Sequence, residues 1–437
     1  MRPLLFVFQD WGPLGVLALL FLALTAFFNF YWWYQIAIAI PGFWAPRPLP
    51  RASHYHRFAV LIPAHNEEHV IGFLLDALAR QDYPKDRYDV YVSCDNCTDR
   101  TADIVRSRGG MHALVRTDTR RTGKTWNVRW ALDQLPLDEY EAVLFFDADN
   151  VPEPDFLART NDYLVAHPEA EAVQGYSDAK NPDDSWVTRA TALGYWYMNR
   201  FFQHARMRWK LSAQLTGTGY AIRVSCLKRI GWDLTSVTDD LEFSSRLILA
   251  GGRVHWNEWA ITYDEKAITY PASAVQRSRW LRGHYWCCWK FGPRALLGFL
   301  RSGRLQYLDL VLYLIFPARL FITYAMTFVG TTLFAISLAF APLVEWSQVA
   351  TSPWVTWPII GLAVSALHVL AGPSLRFRGL TFKYLPDLFI YFWFSLTWAP
   401  LVIVSAFKAH DQSTWAKTEH TRGLELADVR QSSERKT

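Results

Sequence analysis

The stretch Ala142-Val143-Leu144-Phe145-Phe146-Asp147-Ala148-Asp149-Asn150 decides how the rest of the chain is read. A short apolar run of this kind reads as a buried strand. It ends in two carboxylates spaced i, i+2, which in an extended segment share one face. Two carboxylates aimed together repel unless a cation lies between them. The carboxyl end of a strand in an open α/β sheet is also where ligands bind. The segment therefore points to a hard dication, Mg²⁺ or Mn²⁺, holding something phosphorylated. Taken alone, the same spacing also fits a solvated turn.

Outward from this strand, residues 51–300 alternate strand and helix. Phe58-Ala59-Val60-Leu61-Ile62 reads as a strand stopped by Pro63. Glu67 to Arg80 carries Val70, Leu74 and Leu78 on one stripe, as an amphipathic helix does. Tyr88 to Ser93 is a second strand, and Asp95 to Asp99 a loop into a helix near Thr101 to Arg108. Repeated βα units predict a mainly parallel sheet with right-handed crossovers. Glu67, Asp95 and the Asp147/Asp149 pair then sit at the ends of three strands, along one sheet edge.

Other stretches carry chemistry, each with a plainer reading beside it. Asp95 can accept a hydrogen bond from a base or ribose, or simply serve as a turn residue. Lys124, after Gly123 in a basic stretch, can neutralise a phosphate or belong to a solvated face. Gly217-Thr218-Gly219 permits close backbone approach to a flat ligand. Thr238-Asp239-Asp240 reads equally as a helix start favoured by the dipole or as the seat of a general base. Gln276-x-x-Arg279-Trp280 offers a guanidinium fork for phosphate and a flat face for a sugar, or the Arg and Trp of an interfacial helix.

The chain has 437 residues, is 51% hydrophobic and carries a net charge of +5. The apolar residues are unevenly placed. Leu14 to Ile40 has no charge and is long enough to span a bilayer. Arg47, Arg51 and Arg57 follow it, which places the middle of the chain in the cytoplasm. Ala318–Val344, Trp354–Ala371 and Leu385–Phe407 are further candidate spans, with Leu308–Pro317, or the segment broken by Pro386 and Pro400, as a re-entrant or interfacial alternative. The modest charge, without a basic run interleaved with aromatics, excludes a nucleic-acid partner. Cys94, Cys97, Cys226, Cys287 and Cys288 fall in the cytoplasmic part and should be reduced thiols. Cys94-x-x-Cys97 has no second pair to complete a zinc site.

The order of these motifs resembles the membrane-embedded, processive branch of glycosyltransferase family 2, which includes cellulose, chitin, hyaluronan and poly-N-acetylglucosamine synthases. The resemblance rests on Pro63-Ala64-His65-Asn66-Glu67, Asp95, Asp147-x-Asp149, Thr238-Asp239-Asp240 and Gln276-x-x-Arg279-Trp280, in that order. It implies an α/β fold, a GT-A-like mainly parallel sheet with flanking helices, plus a transmembrane helical region. By position, it implies a uridine pocket from Pro63, Ala64, Asn66, Glu67 and Asp95, with Lys124 near the nucleotide. Asp147 would face the nucleotide sugar, Asp149 would ligate the metal (with Asp147 as second candidate ligand), and Asp240 would be the base. Gln276, Arg279 and Trp280 look like the clamp on the diphosphate and acceptor end, and Gly217, Thr218 and Gly219 like the acceptor-side loop. Trp415-x-x-Thr418 resembles part of a gating segment. The family commonly has Thr-Glu-Asp where this chain has Thr238-Asp239-Asp240, which leaves open which carboxylate is the base.

The resulting expectation is an anchor at 1–50, a cytoplasmic catalytic domain at 51–300 ending in interfacial helices, a transmembrane region at 301–410 and a tail at 411–437. The expected activity is metal-dependent, inverting transfer from a UDP-sugar, of the glucose or N-acetylglucosamine class. The acceptor is a growing β-linked polysaccharide or, alternatively, a membrane lipid, at a bacterial inner membrane. A nucleotide-sugar sensor without activity, or a pure transporter, is the reading from another class; intact Asp149, Asp240, Arg279 and Trp280 speak against it.

Overall fold

The computed structural model describes residues 12–322, 366–376 apart from 368, 385–412 and 422–434, with the isolated positions 325 and 332. The first half of the chain gives α1 (Gly12–Ala39), β1 (Phe58–Ala64), α2 (Ile71–Ala79), β2 (Tyr88–Asp95), α3 (Thr101–Arg106), β3 (Met111–Arg116), α4 (Lys124–Gln134), β4 (Ala142–Phe145), β5 (Val151–Pro152), α5 (Phe156–Ala166) and β6 (Ala172–Ala179). Then follow α6 (Trp186–Tyr197), which runs through a π-helical stretch (Met198–His204) into α7 (Ala205–Arg208), β7 (Tyr220–Arg223), α8 (Val224–Ile230), α9 (Asp239–Leu249) and β8 (Val254–Asp264). The remainder is helical: α10 (Tyr270–Ser302), α11 (Leu305–Leu314), α12 (Leu385–Leu396), α13 (Trp398–Phe407) and α14 (Leu426–Glu434).

Alternation along the strands builds two cores. Phe58, Val60 and Ile62 of β1 and Ala142 and Leu144 of β4 go to one side of the sheet. Ala59 and Leu61, with Val143 and Phe145, go to the other. This is the period-2 pattern of a strand covered on both faces. Behind the Asp147 turn, Phe145 stacks on Tyr220 at 4.8 Å and on Trp232 at 5.2 Å between ring centroids.

The strand order is β3-β2-β1-β4-β7-β6-β8-β5. The β3-β2-β1-β4 half is parallel, as the βα periodicity predicts. The sheet as a whole is mixed rather than mainly parallel, because β7 runs antiparallel to β4 and β6, and β5 antiparallel to β8. The difference has a structural consequence. An antiparallel neighbour begins where β4 ends, and Phe145 lies opposite Tyr220. The loop that enters β7, Gly217-Thr218-Gly219, is thereby delivered to the Asp147 turn. Gly219 has φ +63°, and a Cβ there would stand 2.5 Å from the Thr262 side chain, so this close approach needs glycine.

Outside the sheet, α1 is a charge-free helix of 28 residues. Leu385–Phe407, taken as one span through α12 and α13, is long and apolar enough to cross a membrane, with 23 residues and mean hydropathy 1.8. Leu305–Leu314 and Phe316–Ile322 form a pair bent by 52°, which overlaps the stretch Leu308–Pro317 expected to be re-entrant or interfacial. The proposed spans Ala318–Val344 and Trp354–Ala371 lie largely outside the described residues. A buried ion pair ties the outer helices to the segment that follows the sheet's sixth strand: Arg206 of α7 contacts both Asp309 carboxylate oxygens of α11 at 3.0 Å, and Tyr34 of α1 donates to the same carboxylate at 2.9 Å.

The aromatic stack at Phe145 is the wall behind the candidate site. Phe145→Ala should lower stability by about 3–5 kcal/mol, since Tyr220 and Trp232 cannot close the cavity. Thermal unfolding of the detergent-solubilised chain, followed by near-UV dichroism, measures it. A shift within error of zero would mean that the wall repacks.

Candidate active site

The Asp147–Asn150 turn is held from several sides. The Asp147 amide donates to Asn150 Oδ1 at 3.1 Å and to Thr218 Oγ1 at 3.0 Å, and Thr218 Oγ1 in turn contacts Asn150 Oδ1. The Asp147 carboxylate pairs with Lys124 Nζ at 2.5 Å, and the same ammonium donates to the Gly217 carbonyl at 2.8 Å. Lys124 opens α4 directly after Gly123, whose φ of +101° turns the chain into the helix. Burial opposes the charge of Lys124, but Asp147, Asp239 and Asp240 hold its pKa above the usual lysine range. It is therefore a fixed cation. Asp149 is buried and accepts from the Glu265 amide at 2.8 Å.

Asp239 and Asp240 open α9. The Asp239 carboxylate accepts from the Asp240 amide at 3.1 Å, and that of Asp240 from the Leu241 amide at 2.8 Å. Burial and the charge of Asp239 push the Asp240 carboxyl up to about 7, against the Leu241 amide, Lys124 and Arg279. Burial raises Asp239 as well, with Asp147 adding to the rise and Lys124 and Arg279 opposing it. Asp239 Oδ2 is buried and has no hydrogen-bond partner among the described residues. Arg279 of α10 is lowered by burial and supported by Asp147, Asp239 and Asp240. An arginine so placed still carries its charge. Residues far apart in sequence, at 124, 147, 239, 240 and 279, thus act on one another across one region.

The residues expected to receive the uridine line the same edge. In the β1–β2 register Ala64 lies opposite Cys94, next to Asp95. Asn66 adopts φ +54° and its side chain accepts from the Thr98 amide at 2.8 Å, while the Glu67 amide donates to Thr101 Oγ1 at 2.8 Å. These bonds fold the Pro63–Glu67 loop onto the Asp95–Thr101 loop. The Asp95 carboxylate is already engaged by Arg116 at 2.6 Å, in a pair buried on both sides. Gln276 and Trp280 are half-buried on α10, within one turn of Arg279. Trp415 and Thr418 lie outside the described residues.

Several contributors escaped the sequence reading. Asp264 and Lys266 pair at 2.6 Å at the end of β8, flanking Glu265. Lys180, just past β6, donates from Nζ to the Asp149 carbonyl at 2.9 Å. Burial pushes the Asp264 carboxyl up to about 6, with Lys266 opposing and Asp149 adding to the rise. Extending the search for charged strand ends to β6 and β8 would have found them. Glu242 is also new. It is fully buried, accepts from the Thr235 and Ser236 amides at 2.8 and 2.7 Å, and pairs with Arg246 and Lys290 at 2.8 and 3.0 Å. It fixes the loop that leads into Asp239.

A divalent ion is tested by this donor set. Among the described residues no group of three or more His, Cys, Asp or Glu is arranged to hold a metal alone. Mg²⁺ and Mn²⁺ do not need one: a hard dication is commonly held by one or two carboxylates and completed by substrate phosphates. Asp149, with Asp147 beside it, fits that mode.

The sequence model described as "Glycosyltransferase like family 2" matches residues 56–283. "Probable glycosyltransferase YdaM" of Bacillus subtilis is 28% identical over 85% of this chain and 87% of its own length. A "Beta-monoglucosyldiacylglycerol synthase" of Synechocystis is 30% identical over 53% of this chain, and the match spans about half, 48%, of that relative. A "Probable glucomannan 4-beta-mannosyltransferase 14" of Arabidopsis thaliana is 27% identical over 54% of this chain and 46% of its own length. Among solved structures, a mannosyltransferase of Pyrobaculum calidifontis in complex with GDP-Man and Mn²⁺ is 20% identical, covers 80% of this chain and 98% of its own, and superimposes with a TM-score of 0.47. The matched region contains the whole sheet and every carboxylate of the candidate site. The chain belongs to the glycosyltransferase-like family 2 and has its GT-A-like α/β fold.

Proposed function

We propose that this chain is an inverting hexosyltransferase that moves a sugar from UDP to an acceptor at the bilayer surface. The observation that carries the reading is Asp240, a carboxyl held near neutrality at the start of α9 beside Asp239, Lys124 and Arg279. In the reaction an acceptor hydroxyl attacks the anomeric carbon, the bond from that carbon to the diphosphate oxygen breaks, and UDP leaves. Asp240 takes the hydroxyl proton as the new bond forms. A base whose pKa lies near the working pH is well matched to that task. Lys124 and Arg279 stabilise charge on the departing diphosphate, each such contact being typically worth several kcal/mol. Asp149 and Asp147 would hold the Mg²⁺ or Mn²⁺, which supplies further neutralisation of the leaving group. The Pro63–Glu67 and Asp95 loops receive the uridine. Gln276 and Trp280 bound the acceptor end, beside the Gly217–Gly219 loop.

On this reading residues 51–300 form the catalytic domain on the cytoplasmic side of a bacterial inner membrane, with 1–50 as anchor and 301–410 as the spanning region. Described residues of the tail expected at 411–437 contact the catalytic domain: Gln412 accepts from the Val237 amide at 2.9 Å, and the Arg422 amide donates to Glu265 at 3.1 Å. The leading acceptor is a growing β-linked polysaccharide; relatives described as glucomannan mannosyltransferases support it. Relatives described as monoglucosyldiacylglycerol synthases favour a second reading, transfer of one sugar to a membrane lipid. Product size separates the two: a ladder of labelled polymer supports the first, a single glycolipid the second.

Asp240→Asn should abolish UDP-sugar turnover while UDP binding, measured by calorimetry, stays near normal. Retained turnover would remove Asp240 as the base. The pH dependence has a definite sign. The base works ionised, so kcat/KM should rise through about pH 7 and level off above it. The same raised pKa means that the folded state holds a proton the unfolded chain has lost, so this group's contribution to stability falls as pH rises from about 4 to about 7. A rate profile flat across neutrality would contradict the assignment. Asp149→Asn keeps an acceptor for the Glu265 amide yet weakens ion binding; it should lose the Mn²⁺-dependent part of UDP affinity. Unchanged affinity in Mn²⁺ would exclude Asp149 as a ligand.

A further inference from the structure

The second half of α10 has an outer face that the catalytic chemistry does not use. Its inner side, Cys287, Phe291 and Ala295, packs on Leu241 and Ile248 of α9 and Leu310 and Leu314 of α11. On the outside Trp289 is 71% exposed, Leu300 70%, and Leu305 at the start of α11 63%. Leu296 and Leu297 are exposed as well. At roughly 100° per residue, positions 289, 293, 296, 297 and 300 form a single stripe. Exposed Arg294 and Arg301 run alongside it, with Arg304 just beyond. From Lys266 to Leu308 the sequence has no acidic residue. A helix with an apolar stripe edged by arginines suits the plane of an anionic bilayer surface.

Further exposed apolar residues lie near the end of α1. Trp209 Nε1 donates to the Ile38 carbonyl near the end of charge-free α1, and Ile40, Phe43, Trp44 and Trp209 are exposed there. Asp309 of α11 joins α1 through Tyr34 and α7 through Arg206. The α10 stripe leads directly into α11, the helix fastened to α1. The apolar outer face of α10 and the exposed aromatics at the end of α1 are thus linked through α11.

We propose that residues 289–305 lie on the cytosolic leaflet and take anionic lipid headgroups as an activating ligand. The coupling runs along α10 itself. Lys290, one residue from Trp289, donates to Glu242 at 3.0 Å, and Glu242 holds the Thr235 and Ser236 amides ahead of Asp239 and Asp240. Seating α10 on the leaflet steadies that loop and so places the base. The inference rests on the sugar-transfer reading of Asp240.

The test uses the full chain in nanodiscs of phosphatidylcholine with rising fractions of phosphatidylglycerol, assayed for UDP release from the UDP-sugar. Turnover should rise with the anionic fraction, and added salt should suppress the rise. Arg294→Gln and Arg301→Gln, both remote from the site, should each raise the half-maximal anionic fraction by roughly fivefold, the effect of one basic residue at such a surface, with UDP affinity unchanged. Equal wild-type turnover in both lipids, or two variants that respond like wild type, would overturn the inference while leaving the sugar-transfer reading intact. Native mass spectrometry gives a readout independent of turnover: preferential retention of phosphatidylglycerol should be lost in both variants, and its persistence there counts against the proposal. Absence of turnover in every lipid and with every donor would instead count against the sugar-transfer reading.

Discussion

Negative charge gathered in one place is the constraint on which the rest of this structure depends. Asp147, Asp149, Asp239 and Asp240 come from two distant stretches of chain and meet at one edge of the sheet, Asp149 and Asp239 buried and the other two half-buried. Such a group repels itself, and proteins relieve that repulsion by fixed cations, by protonation or by bound metal. Lys124 and Arg279 supply the first, and the raised carboxyl of Asp240 reflects the second. The two devices serve different chemistry. Permanent cations suit a diphosphate, whereas a carboxyl near its titration point suits proton transfer. One electrostatic arrangement therefore suits both the proposed leaving-group site and the proposed base.

The fold delivers these groups by register. The parallel β3-β2-β1-β4 half brings Glu67, Asp95 and Asp147 to one edge, as any series of βα units does. The antiparallel β7 then feeds Gly217–Gly219 into the same edge from the other direction. Thr218 is bonded at once to the Asp147 amide and to Asn150, so the Gly217–Gly219 loop and the Asp147 turn are locked to each other. Further out, Glu242 joins α9 to Lys290 of α10, and Arg206 joins the domain to Asp309 and Tyr34. Buried ion pairs of this kind add little net stability but fix geometry, because losing one partner strands a charge.

The sequence was most legible where one rule, side chains alternating along a strand that ends in a functional group, applied within a few residues. The strands at Phe58, Tyr88 and Ala142 and the Asp147/Asp149 pair follow from it. Less legible was the sheet beyond β4, because strand direction is set by long-range pairing that no local pattern encodes. Asp95 shows a further limit. Its role as a free acceptor for a base looked natural, yet Arg116 at the end of neighbouring β3 already engages it, a partnership visible only once β2 and β3 are paired. Lys180, Asp264 and Lys266 were missed for a related reason: β6 and β8 are parallel to each other but far apart in sequence, so their charged ends did not read as one edge.

The central claim is that residues 124, 147, 149, 239, 240 and 279 surround one metal-bound diphosphate. A structure of the full chain with UDP and Mn²⁺, with manganese located by its anomalous scattering, tests it most directly. The account predicts the manganese peak at the Asp149 carboxylate, with diphosphate oxygens between it and Arg279. Manganese or UDP bound away from this edge of the sheet would contradict it.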